Sequence, residues 1–171
     1  MSVLIAYIAL SVFPAALVVA AANDIYEFKI PNWVSIILIA GYPVAGLAAG
    51  APAGVIVEGF AVGAAALAVG FSLFAFNIVG GGDAKLLAAT APWMGVSAIA
   101  GFLFYTAIAG LALIVVLMTF RSLPVLPVYA RAPWILQLHD RKKDLPYGVA
   151  IAAGGLISFS QTPFFQLVFG G

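Results

Sequence analysis

The sequence predicts an all-α, polytopic integral membrane protein of about six transmembrane helices, forming one membrane-embedded domain over residues 1–171. Three observations predict it. The chain of 171 residues is 65% hydrophobic and 8% charged, with a mean hydropathy of +1.19, whereas a soluble domain is about half apolar. Its apolar residues fall into runs long enough to cross a bilayer, which takes roughly 20 helical residues. Its charges collect in the connections between those runs.

The first segment, about 3–22, ends in Ala20-Ala21-Ala22. That end resembles a signal cleavage site, but the basic start of a signal peptide is missing, so a retained helix is expected. Segments at about 33–50 and 54–76 follow. Pro31 and Asn32 start the second of the six helices, with proline near the first turn. The fourth segment, about 85–96, is short, with Pro92 and Gly95 near its end. It reads as a half-length tilted helix or as the first arm of a helical hairpin with segment 98–120. The connection 121–145 is broken early by Pro124, Pro127 and Pro133, which argues against a continuous helix there. Trp134, Ile135, Leu136 and Leu138 precede Arg141-Lys142-Lys143, giving a surface-lying stretch with an apolar side and a basic end. Contact with anionic lipid is its expected role, with substrate contact as the alternative. The last segment is about 146–169.

Charge placement sets the expected orientation. The seven basic residues are Lys29, Lys85, Arg121, Arg131, Arg141, Lys142 and Lys143. All fall in alternate connections, on one face. The positive-inside rule makes that face cytoplasmic and the N-terminus external. Glu58 is then alone on the outer side, as a snorkelling residue. Gly46/Gly50 and Gly59/Gly63 read as close-packing pairs. Trp33, Trp93 and Trp134 read as interfacial belt residues, and His139 as solvated.

Several function classes are excluded by composition. A net charge of +1 offers no basic field for nucleic acid. The chain has no cysteine and one histidine, which leaves no thiol nucleophile, no structural zinc set and no Ser-His dyad in the membrane. The glycine run is not followed by the Gly-Lys-Ser/Thr of a phosphate loop. Neither a metal nor another cofactor is called for.

What remains is a pair of acids. Asp24 ends the first apolar segment, and Gly80-Gly81-Gly82-Asp83 sits between two others. An ionisable group at the edge of hydrocarbon is costly and marks a candidate site. An up-and-back helical pair would return the chain to the same face and bring the two acids together. Two adjacent carboxyls can share one proton, because both cannot ionise cheaply. One then deprotonates a water while the other donates to a carbonyl, which is peptide hydrolysis by an aspartyl pair. The glycines beside Asp83 are expected to allow positive φ and close approach of an extended substrate. Each residue also has a plainer reading. Asp24 could cap a helix terminus, and Asp83 could be the N-cap of a helix starting at Ala84. Lys85 reads as an interface anchor or counter-charge.

Asp24-x5-Ile30-Pro31-Asn32, then Gly80-x-Gly82-Asp83-x-Lys85-Leu86, then Pro146-Tyr147-Gly148 opening the last helix closely resembles the type IV prepilin peptidases. The three separated motifs occur in family order along essentially the whole chain. The resemblance implies that Asp24 and Asp83 are the catalytic pair. It further implies that Gly80, Gly81, Gly82 and Lys85 form the supporting loop, and that Pro31, Asn32, Pro146 and Gly148 are structural. Larger members carry a methylating domain, often with paired cysteines; only residues 24–32 separate the first two helices here. The chain therefore looks like the short, peptidase-only form found with Flp-type, tight-adherence pili. Archaeal preflagellin peptidases and presenilin-type proteases share the Gly-x-Gly-Asp idea. The expected partners are a prepilin or pseudopilin with a basic leader, and the lipid of a bacterial inner membrane. Two other classes compete: a small proton- or ion-coupled carrier, since acids and broken helices also mark ion paths, and a non-enzymatic pilus or secretion assembly subunit.

Overall fold

The computed structural model describes residues 3–125, 132–140 and 145–170. Helices α1 (Val3–Glu27), α2 (Asn32–Ala48), α3 (Ala53–Ala75), α4 (Gly81–Ser122), α5 (Pro133–Asp140), α6 (Tyr147–Ser158) and α7 (Pro163–Phe169) account for most of it, with a 3-10 turn at Phe159–Gln161. There is no strand among the described residues. α1, α3 and α4 are each long and apolar enough to cross a membrane, and the bent pair α6–α7 makes a fourth span if counted as one. The 17-residue α2 is apolar but shorter.

Helix ends depart from the expected boundaries for identifiable reasons. α1 continues five residues beyond position 22, because Asn23 and its neighbours extend the helical ladder and the Asn23 amide donates to Val19 O at 2.9 Å. It stops at Phe28, whose φ of 54° is left-handed. α2 has Pro31 at its N-cap. It ends in a Schellman turn, with Gly50 at φ 72° and the Ala51 N–H bonded to Gly46 O at 2.9 Å. Of the expected packing pair, only Gly46 therefore packs, a Cβ there lying 2.7 Å from Phe164 Cζ; Gly50 makes the turn. α3 closes the same way on Asn77, with the Ile78 N–H bonded to Leu73 O at 2.9 Å.

The segments expected at 85–96 and 98–120 are two arms of α4, which begins earlier, at Gly81, and breaks at Gly95. Gly95 has φ 58° and ψ −173°, a conformation that a side chain would oppose. At the break, the Val96 N–H donates to Glu58 Oε1 at 3.2 Å. Glu58 is thus not an isolated outer-face charge. The last segment is also not one helix. Pro163 has no N–H, and Thr162 before it is extended (ψ 147°), so the chain turns by 44° between α6 and α7.

In the connection 121–145, Pro133 starts an eight-residue helix, α5. It is held to the end of α4 by the Arg121 Nε donating to Leu138 O at 2.9 Å. His139 is buried, with a ring nitrogen 3.0 Å from Leu123 O and its ring edge-on to Phe120, so the solvated reading is corrected. Arg131 and the basic run Arg141-Lys142-Lys143 lie outside the described residues.

The core is aromatic. Trp93, expected at an interface, is buried among Phe13, Tyr42 and Phe164, and its Nε1 donates to Leu38 O at 2.9 Å. An indole can be buried this way because its single N–H is satisfied. Trp33 is exposed, and Trp134 packs edge-on against Tyr26. Gly59 and Gly63 bring α3 against α4: a Cβ at Gly63 would sit 2.6 Å from Pro92 Cγ, and one at Gly59 would strike the Tyr42 hydroxyl. Gly154 does the same for α6, where a Cβ would be 2.7 Å from the Thr106 backbone nitrogen.

Candidate active site

The end of α1, the start of α2, the α3–α4 connection and the start of α6 surround one open cavity of about 1260 Å³. Asp24, Asp83, Lys85, Asn32 and Tyr147 are among its lining residues.

Asp24 lies inside α1, one turn before its end, and is 5% exposed. Its Oδ2 accepts the Gly148 N–H at 2.7 Å. Pro146 is the N-cap of α6 and Gly148 its second residue, so that N–H has no partner within its own helix. Asp24 therefore does cap a helix terminus, but the helix is α6, 124 residues away in sequence.

Asp83 is in the first turn of α4, whose N-cap is Gly80. It is not the N-cap of a helix starting at Ala84. Its half-buried carboxyl sits at the positive end of α4 and within electrostatic reach of Asp24. The positive φ expected of the glycine run is not used. Gly80 has φ −64°, and the positive-φ glycines among the described residues are Gly50 and Gly95. What the run supplies is room: a Cβ at Gly80 would be 2.8 Å from Asp83 Oδ2, and one at Gly81 would be 3.1 Å from Phe74 Cε2.

Lys85, exposed on the next turn, donates from Nζ to Asn32 Oδ1 at 3.2 Å, joining α4 to the first residue of α2. Two of the sequence motifs thus meet through a direct hydrogen bond, and the third arrives through Gly148. Gly148 has no room for a side chain, since a Cβ would lie 2.8 Å from both Asp24 Oδ2 and Ile30 Cδ1.

Sequence reasoning missed other lining residues. Phe28 and Asn77 are the two non-glycine residues with positive φ among those described, at 54° and 57°, and both face this cavity. Such a conformation costs about 1–2 kcal/mol, less for Asn. Asn77 could have been noticed as the left-handed-tolerant residue ahead of the glycine run; nothing local marks Phe28. Tyr147 stood within a motif but was not singled out. Among the described residues, no group of three or more His, Cys, Asp or Glu is placed to hold a metal ion.

Two carboxyls from different helices line one open cavity, and a carboxyl pair of this kind has the groups that a general base and a general acid need. Residues 11–115, more than half of the chain, match the family model of the type IV leader peptidase family, and the chain belongs to that family. The match includes Asp24 and Asp83 and stops before α6. No curated protein and no solved structure matches the chain.

Proposed function

Taking this member of the type IV leader peptidase family as the premise, we propose that it is a membrane aspartyl endopeptidase in which Asp24 and Asp83 form the catalytic pair. The observation that carries the reading is that the two acids, 59 positions apart in sequence, line a single open cavity. In the proposed mechanism the pair shares one proton. The ionised member takes a proton from water, the water attacks the scissile carbonyl, and the protonated member donates to the developing oxyanion. Collapse of the resulting diol breaks the C–N bond, with the proton taken from water passed to the departing amine and the diol's hydroxyl proton returned to the pair. The pair titrates as a unit.

The substrate of this reading is a prepilin or pseudopilin with a basic leader, cut at the cytoplasmic face of a bacterial inner membrane. Residues 1–171 act as one peptidase domain with six membrane segments, counting α2 and the two arms of α4. The chain transfers no methyl group, since the connection between α1 and α2 is too short to hold a further domain. Lys29, Lys85 and Arg121 support a cytoplasmic site, being near helix ends on the cavity side.

Co-expression with candidate prepilins, scored by mass, tests the activity. Loss of the leader peptide with the wild-type chain, and not with its aspartate variants, is the expected result; intact prepilin in both would remove the reading. A reporter active only outside the cytoplasm, fused near Lys142, should be silent. Strong signal there would put both acids on the wrong side for a leader peptidase.

A further inference from the structure

We propose that the Gly148 amide is a positioning group for the reaction: it holds Asp24 in place from the tip of α6, and position 148 has to be glycine for it to do so. The inference rests on the reading of Asp24 as catalytic and deepens it.

Gly148 is the second residue of α6, behind the Pro146 N-cap, and no side chain of its own helix caps it. Within α6 its N–H has no acceptor, and it points out of the positive end of the helix. Asp24 is buried on α1, close to its C-terminal end, where the helix dipole disfavours a negative charge. The 2.7 Å bond from Gly148 to Oδ2 satisfies both groups at once. Because an N–H can only donate, Oδ2 is kept as an acceptor and a shared proton is directed to Oδ1. The contact thereby sets both the orientation of the carboxylate and the oxygen left for water.

The contact also excludes a side chain. A Cβ at residue 148 would be 2.8 Å from the very oxygen it holds, with Ile30 Cδ1 at 2.8 Å on the other side. Ile30 can rotate away; the carboxylate can yield only by leaving its place. Nor can α6 slide to relieve the contact. Tyr147 is packed against Gly110, where a Cβ would be 2.7 Å from the tyrosine ring, and Gly154 is seated on the Thr106 backbone. The helix is therefore a fixed arm that presents one amide to one acid.

Two measurements on the full chain in detergent test this. The first is hydrogen exchange at the Gly148 amide, read by NMR on 15N-glycine-labelled protein, which needs no activity. The amide should be protected in the wild type and in Asp24→Asn, which keeps an acceptor oxygen, and should exchange at least tenfold faster in Asp24→Ala. Equal exchange in all three would overturn the proposal. The second is turnover of a prepilin by Gly148→Ala. A displacement near 1 Å at a reacting group costs about 10²-fold, so kcat should fall by about that factor with KM little changed and the thermal midpoint retained. Wild-type kcat in Gly148→Ala, or a loss carried by KM alone, would overturn it. If Gly148→Ala does not fold, Gly148→Ala with Ile30→Ala relieves the Ile30 contact and leaves the Asp24 one. A folded double variant that stays about 10²-fold slow supports the proposal, and recovery to the turnover of Ile30→Ala alone overturns it. A wild-type chain that cuts no prepilin would remove the peptidase reading instead, while the exchange experiment still decides whether Gly148 holds Asp24.

Discussion

Two regions of this molecule use the same local device for different ends. At Gly148 and at Val96, the N–H at the start of a helical arm is taken by a carboxylate from another helix, Asp24 in one case and Glu58 in the other. A glycine stands at each contact, Gly148 for lack of space and Gly95 for its φ of 58°. The sites lie at opposite ends of α3: Glu58 and Gly95 are near its start, whereas Gly70 near its end packs on Ala84, next to Asp83. Glu58 and Gly70 are 12 residues apart on this helix (70 − 58), which at about 1.5 Å per residue is roughly 18 Å. The difference is in what surrounds each acid. Asp24 is buried, shares an open cavity with Asp83, and is paired at 2.7 Å; Glu58 is exposed, has the phenol of Tyr42 as its electrostatic neighbour, and is paired at 3.2 Å. A carboxylate that satisfies a helix start is structural by itself. It becomes a candidate for chemistry when a second carboxyl and access for a substrate are added.

The sharpest way to break this comparison is to neutralise each acid in turn. Asp24→Asn or Asp83→Asn should lower prepilin cleavage by at least ~10³-fold, within the span that acid–base groups command, with the protein still accumulating in the membrane. Glu58→Gln should cleave at the wild-type rate. Near-normal processing by either aspartate variant would remove that residue from the mechanism, and a dead Glu58→Gln would erase the distinction between the two ends.

The glycines provide the next contrast. Gly95→Ala places a side chain at positive φ, 3.2 Å from Pro163 Cγ. The conformational part alone costs about 1–2 kcal/mol, so the thermal midpoint should drop while each folded molecule keeps its turnover. An unchanged midpoint would mean that the break in α4 does not depend on glycine. Glu58→Ala removes only the acceptor for Val96. Loss of such a cap costs about 1 kcal/mol, and the midpoint should fall less than in Gly95→Ala. A larger fall would show that Glu58 holds more than one N–H.

The smallest expected effect is at Lys85. Its contact with Asn32 is exposed, and surface contacts of this kind contribute less than about 1 kcal/mol, or a factor of about five. Lys85→Ala should therefore process prepilin within about fivefold of wild type. Complete loss of turnover would move Lys85 from anchor to participant.

The sequence by itself determined the class of the protein and singled out two acids. Hydrophobic runs near 20 residues have few alternatives to membrane helices, and a carboxylate beside a glycine run is conspicuous in a chain with six acids. It also determined that Pro31, Asn32, Pro146 and Gly148 belong near helix starts, because proline and turn chemistry are local. It did not disclose what those residues touch. Trp93 and His139 read as surface residues because indole and imidazole carry polar groups; burial was decided by whether Leu38 O and Leu123 O stood opposite them. Gly80–Gly82 read as a stretch using positive φ, but φ at Gly80 is negative, and Gly80 and Gly81 are tight against Asp83 and Phe74. Glu58 read as a lone charge because its partner is a backbone N–H exposed by a break 38 residues away. The plainer reading of Asp24 is a helix cap without a named helix; the helix it caps begins more than 120 residues later. For Trp93, His139, Glu58 and Asp24 the deciding contact is a hydrogen bond to a residue distant in sequence, and such a partner leaves no periodicity in the chain that needs it.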